Sequence, residues 1–105
     1  MTKVVFFTHN GMITGFSVDG HTGYSNEGSD IVCASVSSAV YMTANTISDV
    51  LFLKADVEVE DGHLYLTVDE KDVKEAQVIL KGFKLHMDEL AKQYGDYIKV
   101  IISEV

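Results

Sequence analysis

The sequence predicts an α+β fold in which a mostly antiparallel sheet of about five strands packs against two long helices. Two dipeptides of the kind that close tight β-hairpins, Asn10-Gly11 and Asp61-Gly62, each lie between two apolar or alternating segments. Each hairpin is followed by a segment whose apolar residues recur at helical spacing. The order strand-strand-helix-strand-strand-helix-strand follows, within a single domain over residues 1–105.

The strands are predicted from apolar patterning on either side of these turns. The first hairpin pairs Lys3–His9 with Met12–Asp19. In the second hairpin, apolar residues alternate with polar ones, which is typical of a sheet with one solvated face. The apolar positions of that hairpin are Ala55, Val57, Val59, Leu64, Leu66 and Val68. Val4–Phe7 and Ile98–Ile102 are apolar on both faces, so we expect these two strands to be central or covered by a partner.

Both helices are predicted from their apolar stripes and terminal residues. The first begins near Ser29 or Asp30, both good N-cap residues, and runs to about Leu53. The second covers about Lys71–Tyr94 and ends at Gly95. The first stripe is Val32, Val36, Ala39, Val40, Ile47, Val50 and Leu51, and the second is Val73, Ala76, Leu80, Phe83, Met87, Ala91 and Tyr94. We expect both stripes to lie in the core.

Composition restricts the class of partner. The chain has 16 acidic residues, 8 lysines and no arginine, giving a net charge of −8. This balance argues against direct nucleic-acid binding, which needs a basic surface, and allows attraction to a basic partner. No apolar run approaches the roughly 18 residues of a membrane span, and no signal peptide is recognisable. A single cysteine cannot form an internal disulfide, so a reducing, cytoplasmic location is expected.

One loop carries the residue types needed for chemistry. Gly20, Gly23 and Gly28 fall within nine residues, so the segment between the second strand and the first helix is predicted to be a mobile loop. It carries His21 at one end, and Cys33 stands just beyond the other. A cysteine and a histidine are together a minimal nucleophile and base.

The predicted position of Cys33 favours reactivity. If Asp30 caps the helix, Cys33 is its third residue, where unpaired N–H groups and the positive end of the dipole favour the thiolate and could form an oxyanion hole. Cys33 lies at the edge of the apolar stripe with Ser37 on the same flank. This serine could donate a hydrogen bond into the site, although helix serines more often bond to their own backbone. Asp30 could cap the helix, orient the imidazole, or do both.

From these residues alone, purely structural interpretations also remain open. A lone helical cysteine is usually a small buried hydrophobe. A metal site made of His9, His21 and Cys33 matches no structural zinc spacing, so no metal or cofactor is expected. Apolar residues off the second stripe (Ile79, Leu85 and Leu90) indicate either a homodimer or ordinary scattered surface hydrophobes. The carboxylates Asp56, Glu58, Glu60, Asp61, Asp69, Glu70 and Asp72 provide either solubility or a docking face for a basic partner.

The loop and helix start resemble a known signature. Gly-His-Thr-Gly-Tyr over residues 20–24 and Gly-Ser-Asp-Ile-Val-Cys-Ala-Ser-Val-Ser over residues 28–37 are similar to the two elements of the ribosomal-processing cysteine proteases. Those elements read Gly-His-Ala-Gly-Tyr and Gly-x-Asp-Ile-Val-Cys-Ala-Ala-Val-Ser. Thr22 and Ser35 replace alanines, and both are small residues outside the nucleophile and base positions. The resemblance covers the whole chain in size and order of elements.

The resemblance implies a cysteine endopeptidase that removes the N-terminal extension of a large-subunit ribosomal protein precursor, and it implies a homodimer. Cys33 matches the nucleophile, and His21 matches the base and proton donor. A ribosomal protein is basic, which agrees with the acidic composition, and the glycine-rich loop is expected to close over the peptide as a lid. The alternatives are a non-catalytic, ribosome-associated peptide-binding module and a general hydrolase or transferase using the same pair.

Overall fold

The predicted order of elements is confirmed. The computed structural model describes residues 1–20 and 27–105, except for the side chains of residues 27–30. One turn of π-helix, Thr46–Val50, follows the first helix, and a short 3₁₀ turn, Glu70–Asp72, precedes the second. The elements are β1 (Thr2–His9), β2 (Met12–Asp19), α1 (Glu27–Asn45), β3 (Ala55–Glu60), β4 (His63–Val68), α2 (Gln77–Gln93) and β5 (Ile98–Glu104).

The five strands form one sheet in the order β3-β4-β2-β1-β5. Every neighbouring pair is antiparallel except β1 and β5, which run parallel with Val4 opposite Val100. β1 is therefore an interior strand with a neighbour on each side, as its two apolar faces predict, whereas β5 is an edge strand. The sheet is mostly antiparallel, as the sequence predicts.

The first hairpin turn has the geometry that its dipeptide favours. Asn10 and Gly11 both adopt positive φ, 52° and 79°, as a type I′ turn requires. In the second turn only Gly62 does so, at 76°. Both turns connect strands with the predicted two-residue loop, since His9 pairs with Met12 and Glu60 pairs with His63.

The core lies between one face of the sheet and the two helices. Rings of Phe6 and Phe16 on the sheet pack against Phe83 of α2, with centroids 5.4 and 4.7 Å from the Phe83 ring. The two predicted helix stripes supply most of the remaining core: Val32, Val36, Ala39, Val40 and Ile47 from the first, and Val73, Ala76, Leu80 and Met87 from the second.

Two predicted core positions are wrong. Val50 is 67% exposed and Leu51 is 40% exposed. The π turn causes this, because its wider spacing, seen in the bond from Leu51 N–H to Thr46 O (2.8 Å), rotates the following residues out of the α-helical stripe. Leu53 returns to the core after Phe52, whose φ of 55° is unusual for a bulky side chain.

The helix boundaries differ from prediction. α1 already includes Glu27, so Ser29 and Asp30 lie inside the helix and do not cap it. α2 begins at Gln77, six residues later than expected, because residues 70–76 form tight turns, with Ala76 N–H donating to Val73 O at 3.1 Å. The second helix ends one residue before Tyr94, and Gly95 is not in the left-handed conformation of a typical C-terminal glycine.

The helical stretch Ile31–Val50 is long and apolar enough to cross a membrane by length and composition. We expected no stretch long enough for a membrane span, because no continuous apolar run in the sequence approaches that length. Core helices of soluble proteins pass the same test, and this stretch contributes Val32, Val36 and Val40 to the core.

The other face of the sheet carries apolar residues without a helix over them. In the described part of the chain both helices pack on the Phe6 face, and the opposite face presents half-buried Val5, Phe7, Tyr65 and Ile101. Phe7 and Tyr65 contact each other, with ring centroids 5.4 Å apart. We call this the open sheet face. It is an apolar surface with its centre on β1.

Candidate active site

Cys33 is half-buried on α1, with a free thiol. It is the seventh residue of the helix, since α1 includes Glu27, and the prediction that it lies in the first turn is wrong. The helix dipole acts mainly within the first turn, so its effect at Cys33 is smaller than the sequence suggested. A partly accessible sulfur supported by packed neighbours is nevertheless the arrangement that a nucleophile needs.

Ser37 lies one turn after Cys33 on the same flank of α1 and is also half-buried. Residues four apart on a helix have Cβ atoms about 5–6 Å apart. Ser37 lines a recess of about 140 Å³ between α1 and the ends of β2 and β4. The lining is mainly apolar, from Val18, Val36, Val40, Val59 and Leu64. A cavity of about 150 Å³ holds a benzene molecule, so this recess has room for one side chain of a peptide.

Gly20 determines the path of the main chain at the end of β2. Its φ is 87°, and a Cβ at this position would overlap the main-chain oxygen of Met1. Its N–H donates to Gly62 O at 3.2 Å, which extends the pairing of β2 with β4 by one residue. Only glycine satisfies both the conformation and the close approach, so the sequence signal at Gly20 has a local structural cause.

A histidine that sequence reasoning left aside lies at the same end of the sheet. His63 Nδ1 contacts Asp19 Oδ1 across the β4–β2 pairing, and the two side chains are 33% and 38% exposed. An ion pair this exposed contributes only about 0–1 kcal/mol to stability. His63 borders the recess at the edge of the sheet, but its side chain and that of Asp19 lie on the sheet face opposite α1, because Val18 and Leu64 face the helix. The register of two different hairpins creates this pair, and neither hairpin alone signals it.

The remaining predicted site residues have different outcomes. His21 and Gly23 lie outside the described residues, as does the side chain of Asp30, so the pairing of His21 with Cys33 and the lid function of the loop stay predictions. Gly28 lies within α1 rather than in a loop. His9 is at the opposite end of β1 from Gly20, with Nδ1 2.8 Å from Val105 O. Within residues 1–20 and 31–105, no three potential metal ligands cluster.

The β3–β4 hairpin presents carboxylates next to the recess. Glu58, Glu60 and Asp61 are exposed, and Glu60 lines the recess. β3 is exposed on both faces, including Val59 at 68%, because it is an edge strand beyond the cover of α1. The expectation of one covered face in this strand is therefore wrong.

Comparison with known proteins identifies the class of protein. The family model described as cysteine protease Prp matches residues 1–99. The chain belongs to this family of cysteine proteases.

Individual relatives agree with this assignment. The ribosomal processing cysteine protease Prp of Staphylococcus aureus strain Mu50 is 27% identical over 102 residues, which cover 95% of this chain and 96% of the relative. The crystal structure of the Staphylococcus aureus protease Prp with a substrate peptide has a TM-score of 0.89 at 24% identity, covering 98% of this chain and 100% of that one. A second structure of that protease, with a covalently linked product peptide, has a TM-score of 0.86 at 25% identity over the same shares. The α+β fold is confirmed by these structures.

Proposed function

We propose that this protease removes the N-terminal extension of a large-subunit ribosomal protein precursor, with Cys33 as nucleophile and His21 as base and proton donor. The observation that carries the proposal is the half-buried thiol of Cys33, one helical turn from Ser37 in the lining of a recess that can hold one peptide side chain, in a chain of the cysteine protease Prp family. The Staphylococcus aureus relative, solved with a substrate peptide and with a covalently linked product peptide, supports it.

The proposed reaction has two halves. His21 takes the proton of the Cys33 thiol, and the thiolate attacks the scissile carbonyl carbon. The tetrahedral intermediate collapses as the C–N bond breaks, and His21 returns the proton to the leaving amine. The acyl group stays on Cys33 as a thioester. A water molecule then gives a proton to His21 while its hydroxide adds to the thioester carbon. The C–S bond breaks, the carboxylic acid product leaves, and His21 returns its proton to the Cys33 sulfur.

Charge supports a basic polypeptide as the substrate. The chain carries a net charge of −8. Glu60 lines the recess, and Glu58 and Asp61 of the same hairpin are also exposed. Opposite charge on the two molecules raises the rate of encounter and orients the approach. Direct binding to nucleic acid or to a membrane is not part of the proposal, and the cytoplasm is its proposed location.

The test is mass spectrometry of a precursor peptide that spans the N-terminal extension and the first mature residues. The wild type is expected to make a single cut, and Cys33→Ala is expected to make none while still binding the peptide. Ser35→Ala is a matched control on α1, because the Ser35 hydroxyl is already bonded to Ile31 O at 2.9 Å. Cleavage by Cys33→Ala would contradict the proposed nucleophile. Binding without cleavage by the wild type would favour the peptide-binding module instead.

We also propose that the protein acts as a homodimer that pairs the open sheet face of one copy with that of another. The face carries Val5, Phe7, Tyr65 and Ile101, and no helix or strand of the described residues covers it. A two-fold axis through β1 would bury this patch against itself.

A further inference from the structure

β3 has the features of a strand that can pair with another chain. It is an edge strand of the sheet, and every residue after Ala55 is exposed. Natural edge strands are usually protected by lysine, proline, a bulge or a covering segment. β3 contains neither lysine nor proline, and its pairing with β4 runs without a bulge. No strand among residues 1–20 and 27–105 pairs with its outer edge.

The register shows which main-chain groups of β3 point outward. Gly20 N–H donates to Gly62 O at 3.2 Å, so Gly62 faces β2 and the next residue, His63, faces β3 with its main-chain groups. The hydrogen-bonded pairs between β3 and β4 therefore begin at Glu60–His63 and recur at every second residue. The residues of β3 between these pairs direct their N–H and C=O groups to the free edge: Ala55, Val57 and Val59.

The two faces of β3 differ in chemistry. Val57 and Val59 are 49% and 68% exposed on the helix side of the sheet, and Val59 lines the recess with Tyr41 of α1. The alternate residues, on the opposite side, are exposed carboxylates: Asp56, Glu58 and Glu60. A strand added to this edge therefore meets apolar side chains on one face and negative charge on the other.

Charge distinguishes between the possible partners of this edge. In a pair formed by two copies of β3, carboxylates of one strand would lie opposite carboxylates of the other, which destabilises the pairing. Lysine or arginine at alternate positions of an incoming strand would form favourable cross-strand pairs with the same carboxylates. The other edge strand, β5, carries one lysine and one glutamate and has no such preference. The β3 edge is therefore suited to a basic strand.

We propose that β3 is a docking strand for an extended, basic segment of polypeptide, which adds to its free edge with apolar side chains toward the helix side and lysine or arginine toward the carboxylates. Main-chain hydrogen bonds supply affinity in this mode of recognition, and alternate side chains supply selectivity. The inference rests on the proposed function in one respect, because it takes the polypeptide to be the ribosomal protein substrate. The docked segment is separate from the peptide bond that Cys33 attacks.

The first test measures binding. A fluorescently labelled nine-residue peptide in which valine alternates with lysine is titrated into Cys33→Ala protein. Val57→Pro in this background should weaken binding at least about fivefold, because proline lacks the outward N–H and its ring obstructs a neighbouring strand. Val57→Thr keeps the N–H and should stay within about twofold. Proline at this position removes no bond to β4, and thermal unfolding verifies that each variant is folded.

Further comparisons test the charge and the strand pairing. Glu58→Lys should weaken binding about threefold to tenfold, whereas Glu75→Lys, the same change at an exposed residue outside the sheet, should weaken it less than twofold. A peptide with glutamate in place of lysine should not bind. N-methylation of one alternate set of peptide amides should weaken binding, and N-methylation of the other set should not, because only every second N–H faces β3.

The full-length precursor protein connects docking to the substrate. It should displace the labelled peptide from Cys33→Ala protein. With Cys33 intact, Val57→Pro should raise KM for the precursor at least about fivefold and change kcat less than twofold, because the docked segment is held equally in the ground state and the transition state.

Unchanged peptide binding in Val57→Pro, equal effects of the two N-methylated sets, or failure of the precursor to displace the peptide would overturn the inference. Loss of a dimer in Val57→Pro would also overturn it, by assigning the edge to a second copy. Cleavage by the wild type with unchanged binding in Val57→Pro would overturn this inference and leave the proposed function intact. Precursor binding that depends on β3, with no cleavage by the wild type, would support the docking strand and overturn the proteolytic proposal.

Discussion

At the scale of single residues, two glycines show how differently the same residue type is used. Gly20 adopts a conformation that other residues avoid, and its neighbour Met1 leaves no room for a Cβ. Gly82 lies inside α2 with nothing within 4 Å of an added Cβ. A glycine in a helix can permit another backbone to approach closely. No such approach occurs at Gly82 in the described part of the chain.

The two alanine substitutions are expected to change stability in opposite directions. Gly20→Ala should lower the free energy of unfolding by at least about 2 kcal/mol, because a left-handed conformation costs about 1–2 kcal/mol and the overlap with Met1 adds to it. Gly82→Ala should raise the free energy of unfolding by about 1 kcal/mol, since alanine is the better helix former. Urea denaturation measures both. A stable Gly20→Ala variant would contradict the fixed geometry at the end of β2.

At the scale of elements, a buried glutamine joins α2 to β2. Gln77 Oε1 accepts from Ile13 N–H at 2.9 Å, and Gln77 Nε2 donates to Ile13 O and to Val73 O, each at 2.8 Å. Ile13 lies next to an irregularity in the β1–β2 pairing. Phe7 pairs with Gly15 and the next residue, Thr8, pairs with Ile13, so Thr14 is skipped. The glutamine thus satisfies strand groups at the irregularity and fixes where the second helix starts.

Replacing Gln77 by leucine tests this connection. Gln77→Leu should lower the free energy of unfolding by about 2–4 kcal/mol, because the buried N–H and C=O of Ile13 lose their partners. Gln93→Leu is the matched control at the end of the same helix. Its amide is exposed and reaches only the Tyr94 hydroxyl, at 3.4 Å. Chemical denaturation compares the two, and equal losses would show that the Gln77 bonds are not the cause.

Local patterns predict elements well and their connections poorly. The bounds of β2 follow from its turn dipeptide and its aspartate, and they agree at both ends. The start of α1 was predicted from residue types suited to capping, but a cap also depends on the backbone before it, which composition does not specify. The π turn at Thr46 has no distinctive residues, so the exposure of Val50 was not foreseeable.

The same contrast between local patterns and long-range pairing holds at the candidate site. Cys33 and its support by Val32 and Val36 follow from a single helical pattern. The Asp19–His63 pair arises from the pairing of β2 with β4, which are 44 residues apart, and no local pattern specifies that register.

At the scale of the whole molecule, the two surfaces that can hold a second copy are distinct. The open sheet face carries apolar residues of three strands, whereas the off-stripe residues of α2 include Leu85 at 63% exposed. The sequence suggested a homodimer from the α2 residues together with the two strands that are apolar on both faces. The structure places Val5, Phe7 and Ile101 of those strands on the open sheet face.

Charge substitutions separate these surfaces. Ile101→Asp should shift the protein from dimer to monomer in light scattering coupled to size-exclusion chromatography, because it places a charge in the proposed interface. Leu85→Asp should leave the dimer intact. The reverse result would assign the interface to α2, and a monomeric wild type at micromolar concentration would contradict the homodimer.

The parallel pairing of β5 with β1 has a consequence for synthesis. β1 is translated first, but its neighbour β5 begins at residue 98, so at about 5–20 residues per second β1 waits on the order of 5–20 s for this partner. During that interval Val4 and Phe6 lie on a strand with one open edge, which is the state most exposed to wrong pairing. The nascent chain thus acquires its protected sheet only after residue 98 has been translated, and the speed of elongation sets the length of its vulnerable period.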